Sequence, residues 1–209
     1  MVVFRRHGFR RSSIEQAAEA AGLTRQALYH HFESREALFR AVIEQLHENA
    51  LAAEIAAANA TDKAGGSLAD ILVAEVTARL RQFIASFDGS PHIDELFSEH
   101  LVQARDLYQK HAGLYGEQLV ATIERVCRKQ RLGLAENMTA RGLARCIEMA
   151  ISGTKSVHPA MLPADAFLKD LEIMLRTLVA GAAGLSPKPH PAKPATAKKS
   201  RLTKPGDRK

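Results

Sequence analysis

The sequence is poor in several residue types, and each shortage excludes a class of protein. Tryptophan is absent and aromatic residues make up only 5% of the chain, which disfavours a β-sandwich and favours helices. Two cysteines cannot form a disulfide framework, so a reduced, cytoplasmic setting is expected. No stretch approaches about 18 consecutive apolar residues, and the N-terminal residues lack the apolar segment of a signal peptide. We therefore expect neither a membrane span nor secretion.

The positive charge is concentrated at the C-terminal end. The 209 residues carry a formal net charge of +6, and residues 186–209 alone carry eight Lys or Arg against one acid. The same segment contains five prolines and almost no large apolar residues, so it cannot repay the entropy of ordering. We predict a disordered basic tail there. Residues 48–185 are net negative, so high basicity by itself is no argument that the folded part binds nucleic acid.

Helical spacing of apolar residues dominates the rest of the chain. A first long helix begins after Ser34 and is predicted to run to about Asn59, where TDKAGGS (61–67) forms a turn-rich break. Five further helices follow, with breaks at 88–91, near Gly133 and at 158–159. No alternating strand pattern is found, so the predicted fold class is all-α.

The segment from Ser13 to Phe32 has the pattern of a helix-turn-helix. The small Ala18 allows two short helices to cross closely, Gly22 allows the positive φ of a tight turn, and Leu28 fills the joint. The outward positions of the second helix can reach base edges or phosphates in a major groove: Arg25, Gln26, Tyr29 and His30. Arg35, at the start of the next helix, is placed to bind a phosphate.

Gly8–Leu46 resembles the DNA-binding domain of TetR/AcrR-type transcriptional regulators. The resemblance rests on the Gly8-Phe9 pair, the Ser-Ile helix start, Ala-Gly-Leu at the turn, Leu-Tyr-His-His-Phe in the second helix and the Ser-Arg-Glu-Ala-Leu start of the third. It implies a homodimer that binds a palindromic operator as a repressor and is released by a small-molecule effector. It also implies that the DNA contacts include Ser13, Thr24, Arg25, Gln26, Tyr29, His30 and Arg35.

The resemblance implies three regions and a dimer interface. Residues 1–47 would form the DNA-binding domain, residues 48–185 a larger helical ligand-binding and dimerisation domain like that of the tetracycline repressor, and residues 186–209 the tail. The last two helices, about 139–156 and 163–183, would form the dimer interface, although their apolar faces equally suit an intramolecular core. The family has a full helix before the Gly-Phe pair, and only Val2–His7 precede it here. Either the translation start lies further upstream, which we favour, or this domain is unusually loose.

Candidate effector contacts lie on the central helices of the second domain. They are His100, Arg105, Tyr108 and Tyr115, with His92 and His111 nearby in sequence. No His pair at metal-ligand spacing and no Cys cluster appears, so no metal or cofactor is expected. Cys127 and Cys146 lie on apolar faces and are predicted to be small buried hydrophobes, with a redox switch as the alternative.

Two other functions remain open. The tail suits either a nonspecific DNA clamp or a solvated extension, and in the first case the protein would be an architectural DNA-binding protein whose affinity the tail supplies. An enzyme on a helical scaffold is the second, although no catalytic pattern supports it. The favoured function is a DNA-binding regulator whose partners are duplex DNA, an effector and a second copy of the chain, in the cytoplasm and, when bound, at the nucleoid.

Overall fold

A computed structural model describes residues 1–184, and the predicted disordered tail lies outside the described residues. Within that range the chain is helical along almost its whole length, which confirms the predicted fold class. The helices are α1 (Val2–His7), α2 (Ile14–Ala20), α3 (Arg25–His31), α4 (Arg35–Lys63), α5 (Leu68–Phe87), α6 (Ile93–Gln103), α7 (Arg105–Gln130), α8 (Ala140–Val157) and α9 (Ala164–Ala182).

Side-chain hydroxyls begin five of these helices. Each accepts a hydrogen bond from a backbone N–H in the first turn, which has no partner inside the helix. In α2 and α5 a second side chain, Gln16 or Asp70, accepts a bond from the cap's own N–H and completes a capping box. The capping residues are Ser13, Thr24, Ser34, Ser67 and Thr139. The starts of these helices are therefore encoded locally.

Helix α4 is longer than its sequence pattern predicts. It continues four residues past Asn59, so residues 61–63 of the expected turn are helical. The reason is tertiary, because Asp62 is held by Arg125 and by Lys129, whose Nζ lies 2.7 Å from Oδ1. Helix α4 also passes without interruption through the predicted domain boundary at residue 47, so a single rod connects the N-terminal helices to the rest of the fold.

Helix α5 lies at the centre of the larger part of the fold. It packs against α4, α7 and α9, and residues on nearly all of its faces are buried. Helices α8 and α9 pack against each other and cover α5 and α7. A two-residue antiparallel ladder, β1 (Gly133–Leu134) with β2 (Ala183–Gly184), joins the loop after α7 to the end of α9. The ladder is too short to produce an alternating sequence pattern.

Three aromatic rings join α1 to α4. Phe4, Phe9 and Phe39 are buried, and the Phe39 ring centroid lies 5.0 Å from that of Phe4 and 4.8 Å from that of Phe9. Although α1 has only six residues, it supplies apolar cover to α4 through Phe4. The start of the predicted DNA-binding segment is thus continuous with the main core.

Candidate functional site

Helices α2 and α3 form the predicted helix-turn-helix. Ile14, Ala18 and Leu28 make a small apolar cluster of their own at the joint. Gly22 has φ of +67°, and the turn is closed by hydrogen bonds from the Gly22 N–H to the Glu19 carbonyl (3.1 Å) and from the Leu23 N–H to the Ala18 carbonyl (2.9 Å). The turn therefore uses glycine for the backbone conformation that other residues adopt only at a cost.

The outward face of α3 is exposed and carries the predicted base-reading side chains. Arg25, Gln26, Tyr29 and His30 are all exposed. Arg25 pairs with Glu15 of α2 (Nε to Oε1, 2.8 Å), and its guanidinium lies 5.3 Å from the centre of the Tyr29 ring. Glu15 and Tyr29 are themselves exposed, so Arg25 would give up only weak surface interactions to contact DNA.

Ser13 and Thr24 are helix caps as well as predicted DNA contacts. Ser13 Oγ accepts from the Gln16 N–H (3.2 Å), and Thr24 Oγ1 accepts from the Ala27 N–H (3.1 Å). A hydroxyl that accepts such a bond keeps its own proton for donation. Both hydroxyls can therefore donate to a phosphate without uncapping their helices.

Arg35 makes more intramolecular contacts than the sequence suggests. Its Nη1 donates to the Arg10 carbonyl (2.7 Å), its Nη2 donates to Glu36 (2.7 Å), and the guanidinium lies 4.5 Å from the centre of the Phe9 ring. It thus ties the loop before α2 to the start of α4. A phosphate would have to share this guanidinium with two protein acceptors.

Arg35→Ala is expected to weaken binding to all duplexes about equally and to reduce the salt slope by about one unit, because a phosphate contact reads no sequence. The same change is expected to lower the melting temperature, since it uncovers Phe9 and frees the Arg10 carbonyl. Fluorescence anisotropy across a salt series and a thermal melt measure the two effects. Loss of binding on one duplex alone would contradict the phosphate role.

A cavity of about 320 Å³ opens among helices α4 to α8 and the 3-10 turn Pro159–Met161. Its wall is mostly apolar, with several polar and charged side chains. Three predicted effector contacts, His100, Tyr108 and Tyr115, line it. The remaining lining residues are His47, Arg79, Leu80, Phe83, Phe97, Ser98, Leu101, Ala112, Glu148, Ile151, Lys155, Ala160 and Met161.

Arg105, the fourth predicted effector contact, does not line the cavity. The α7 residues that do, Tyr108, Ala112 and Tyr115, repeat at helical spacing. Arg105 fits that spacing but is the first residue of α7, where its side chain is exposed. His92 also lies away from the cavity, 3.4 Å from Arg11.

Four titratable residues of the cavity wall were not predicted from the sequence: His47, Arg79, Glu148 and Lys155. A signal for one was present, because Arg79 interrupts the apolar stripe that Val76, Leu80 and Phe83 form on α5. Arg79 is only 3% exposed, and a buried charge among apolar residues requires a partner. The sequence cannot name that partner, which lies on another helix.

Buried histidines form a hydrogen-bonded chain in the cavity wall. His47 Nε2 lies 3.0 Å from His100 Nε2, and His47 Nδ1 lies 2.9 Å from the Tyr115 hydroxyl. The His111 ring stacks on that of His47 with centroids 4.6 Å apart. Burial lowers the pKa of His47 to about 3 and the pKa of His100 to about 4, so both rings are neutral near pH 7.

The guanidinium of Arg79 lies between two carboxyl groups. Arg79 Nη2 donates to Glu148 (3.0 Å), and Nε lies 3.6 Å from Glu54, with the Tyr115 ring centre 4.4 Å from the guanidinium carbon. Arg79 Nη1 and both Glu54 oxygens have no hydrogen-bond partner among the described residues. Burial raises the pKa of Glu54 to about 8 against the opposing attraction of Arg79, so the carboxyl is mostly protonated at pH 7.

Comparison with known proteins supports the reading of the N-terminal helices. Residues 1–42 match the family model described as bacterial regulatory proteins, tetR family. The chain carries a tetR-family DNA-binding domain. This match confirms the resemblance predicted from Gly8–Leu46 and supports a DNA-binding transcriptional regulator.

Solved structures share the fold along most of the chain. A transcriptional regulator from Rhodococcus sp. Rha1 is 20% identical, with 87% of this chain and 92% of that chain covered and a TM-score of 0.59. SmeT, the repressor of a multidrug efflux pump of Stenotrophomonas maltophilia, is 20% identical over 91% and 93%, with a TM-score of 0.57. FadR of Thermus thermophilus, solved with lauroyl-CoA, is 20% identical over 91% and 95%, with a TM-score of 0.53.

Helix α6 contacts both the tetR-family domain and the cavity. Glu95 accepts from the Arg10 N–H (2.8 Å) and Glu99 accepts from Arg10 Nε (3.1 Å). Gly8, with φ of +75°, leaves room for Glu95, whose carboxylate would collide with a Cβ there. The same helix lines the cavity through Phe97, Ser98, His100 and Leu101. A shift of α6 would therefore reach the DNA-binding helices directly.

Other predicted features can be placed on the described residues. Among residues 1–184 no group of three or more metal-ligating side chains is assembled, and no helix in that range is long and apolar enough to cross a membrane. Cys127 and Cys146 are partly buried rather than fully buried. His31 is exposed, with its ring edge-on to that of His30.

Proposed function

We propose that this DNA-binding regulator is a homodimeric, effector-responsive repressor of a palindromic operator. The observation that carries the proposal is the position of α6, which holds the Arg10 loop by Glu95 and Glu99 and lines a mostly apolar cavity. In this proposal residues 1–47 bind DNA, residues 48–185 bind effector and the partner chain, and the protein works in the cytoplasm, at the nucleoid when bound.

Release from the operator would be a population shift between two conformers. An effector that binds more tightly to the conformer with displaced α6 would move the Arg10 loop and change the spacing of the two α3 helices in a dimer. A coupling free energy of about 1–3 kcal/mol would lower operator affinity roughly 5–150-fold. An effector with equal affinity for both conformers would release nothing.

The exposed faces of α8 and α9 support the dimer. Both helices bury one apolar stripe inside the chain and expose further apolar side chains on the other side. The exposed fractions are 56% for Met149, 71% for Val157, 55% for Ile173 and 43% for Met174. Small residues lie among them, including Gly153 and Gly181, so a second copy could approach closely. Such a set is costly to leave in water and suits an isologous interface.

The decisive experiment is selection of bound duplexes from a random library by the purified chain, followed by anisotropy on the enriched duplex and a scrambled one. A repressor dimer is expected to enrich an inverted repeat and to prefer it at near-physiological salt. Equal, steeply salt-dependent binding of both duplexes would instead favour the architectural protein, with affinity supplied by segment 186–209. Deleting that segment would then abolish DNA binding, whereas the same deletion in a sequence-specific repressor would only weaken it.

Arg25→Ala is expected to reduce discrimination between the selected site and a site with one base pair changed. The loss is about 1–3 kcal/mol if Arg25 contacts a guanine with two hydrogen bonds. Anisotropy titrations of both duplexes measure it. Glu15→Gln is the matched control, because it removes the partner of Arg25 and leaves the arginine in place. Unchanged discrimination by Arg25→Ala would refute the base contact.

We also propose that the cavity serves binding and not catalysis. The paired charges beside it form a static network in which Arg79 is already held by Glu148. Effector recovered chemically unchanged after prolonged incubation with the protein is the expected result. Its conversion to a product would favour the enzyme instead.

A further inference from the structure

The cavity holds more positive than negative charge. Arg79 and Lys155 contribute two positive charges to its wall, and Glu148 contributes the one negative charge. Glu148, Ile151 and Lys155 lie at helical spacing on one face of α8, and all three line the cavity. His47 and His100 are neutral near pH 7, and Lys155 stays mostly charged although desolvation lowers its pKa to about 8, so the wall carries a net charge of about +1.

The one negative charge of the wall is paired with Arg79, which leaves the charge of Lys155 without a partner. Glu148 accepts from Arg79 at 3.0 Å. Within residues 1–184, no carboxylate lies within ion-pair distance of Lys155, and the buried Arg79 Nη1 has no hydrogen-bond partner. An unpartnered donor in a protein interior, such as Arg79 Nη1, costs free energy that an acceptor on a ligand can restore, whereas Lys155 is exposed and offers an unpaired charge. The wall is therefore suited to bind a hydrogen-bond acceptor that carries negative charge.

The remainder of the wall is apolar. The apolar part of a ligand would be buried among the wall's aromatic and aliphatic side chains, which are Phe83, Phe97, Leu101, Ile151 and Met161. The volume of about 320 Å³ has room for about ten water-sized groups, since each water takes about 30 Å³ in the liquid. The occupant is thus small, with an apolar body and one charged end.

We propose that the effector is a small amphipathic monocarboxylate, bound with its carboxylate at Lys155 and Arg79 and its apolar body among the aromatic and aliphatic side chains. This inference rests on the proposed function, because it identifies the effector of the proposed repressor. A cationic ligand fits less well, because it would compete with Arg79 for Glu148 and would lie beside a second cation.

Titration calorimetry of the full chain with octanoate, octan-1-ol and octylamine tests the charge preference with the apolar body held constant. Octanoate is expected to bind at least about tenfold more tightly than either of the others, which is the contribution of one charge-assisted hydrogen bond. Tighter binding of octylamine, or equal binding of all three, would overturn the proposal. So would absence of octanoate binding.

Two variants with opposite effects test the assigned residues. Lys155→Met removes a positive charge and is expected to abolish most of the preference for octanoate over octan-1-ol. Glu148→Gln removes the negative charge and is expected to tighten octanoate binding. Lys169→Met, on α9 and outside the cavity wall, is the matched control and should behave as the unmodified chain. A preference that survives Lys155→Met, or weaker octanoate binding by Glu148→Gln, would refute the assignment.

Adding octanoate to the complex with the selected duplex separates this inference from the proposed function. Calorimetry needs no DNA, so tight octanoate binding with no release of the duplex would leave the carboxylate site standing and refute effector-driven repression. Release of the duplex by octylamine but not by octanoate would leave the repressor standing and overturn the ligand class. Release by octanoate alone supports both.

Discussion

Glu54→Gln is expected to make the protein more stable at pH 8 and to flatten its stability between pH 6.5 and 8. Glu54 is 1% exposed, and neither of its oxygens has a hydrogen-bond partner among the described residues. Burial raises its pKa from 4.5 to about 8, with smaller contributions from the neighbouring Glu75 and Glu148 and with Arg79 opposing them. As the pH rises, the Glu54 carboxyl must therefore become charged inside the core, which costs stability. The amide of the glutamine variant stays neutral at every pH in this range.

The sign of this effect follows from proton counting. Between pH 4.5 and about 8 the unfolded chain has released the Glu54 proton and the folded chain still holds it, so stability falls as pH rises. Burial also raises the pKa of Glu75, to about 7, which adds a slope of the same sign. His47 and His100 have lowered pKa values, so their contribution is lost as pH falls below 6.5. The opposing slopes put maximum stability near pH 5–6.

Urea unfolding at a series of pH values measures these slopes. From pH 6.5 to 8 the unmodified chain is expected to lose about 2 kcal/mol through Glu54, at 1.36 kcal/mol for each pH unit, and the glutamine variant is expected to keep it. Glu124→Gln, at an exposed position on α7, is the control and should leave the pH profile unchanged. A parallel profile for Glu54→Gln and the unmodified chain would show that Glu54 is ionised throughout.

Ile173→Glu is expected to separate the proposed dimer into single chains. Ile173 projects from the exposed side of α9, opposite the buried Leu171 and Leu175, and a carboxylate there would be buried beside its own symmetry mate in an isologous interface. Light scattering coupled to size exclusion is expected to report half the mass of the unmodified protein. Ile55→Glu, the same substitution at an exposed position of α4, should keep the full mass.

Loss of the dimer should also remove most of the operator affinity. Once one chain of a dimer is bound, the other chain is held near the second half-site. This multivalency typically raises the overall affinity by about 10²–10⁴-fold. Ile173→Glu should lose affinity by that factor on the full operator and by little on a single half-site, whereas Ile55→Glu should lose neither. A dimeric Ile173→Glu variant would mean that another face joins the two chains.

The helix-turn-helix could be predicted because its determinants are local. The Ser13 and Thr24 caps, the positive φ of Gly22 and the apolar triplet of Ile14, Ala18 and Leu28 all lie within sixteen residues of one another. Each acts on its own turn of the chain, so the sequence alone determined where α2 and α3 begin and which face α3 exposes. The role of that face in DNA contact stays a prediction.

The cavity could be predicted only in part because its wall comes from several helices. His100, Tyr108 and Tyr115 were found as polar residues on the central helices, while His47 and Lys155 lie in helices whose other positions match core or surface patterns. Arg105 has the correct spacing but lies one turn beyond the cavity. The spacing of residues along a helix indicates which of them share a face. It does not indicate which parts of the other helices lie opposite that face.

The sequence by itself determined the fold class, the DNA-binding segment and the starts of the helices, because caps, turns and apolar periods act over a few residues. Only the tertiary structure decided that α4 runs on to Lys63, that Arg35 is shared with the Arg10 carbonyl and Glu36, and that Glu54 and Arg79 face each other in the core. These outcomes depend on contacts between residues far apart in the chain, and the pKa of a buried group depends on all its neighbours at once.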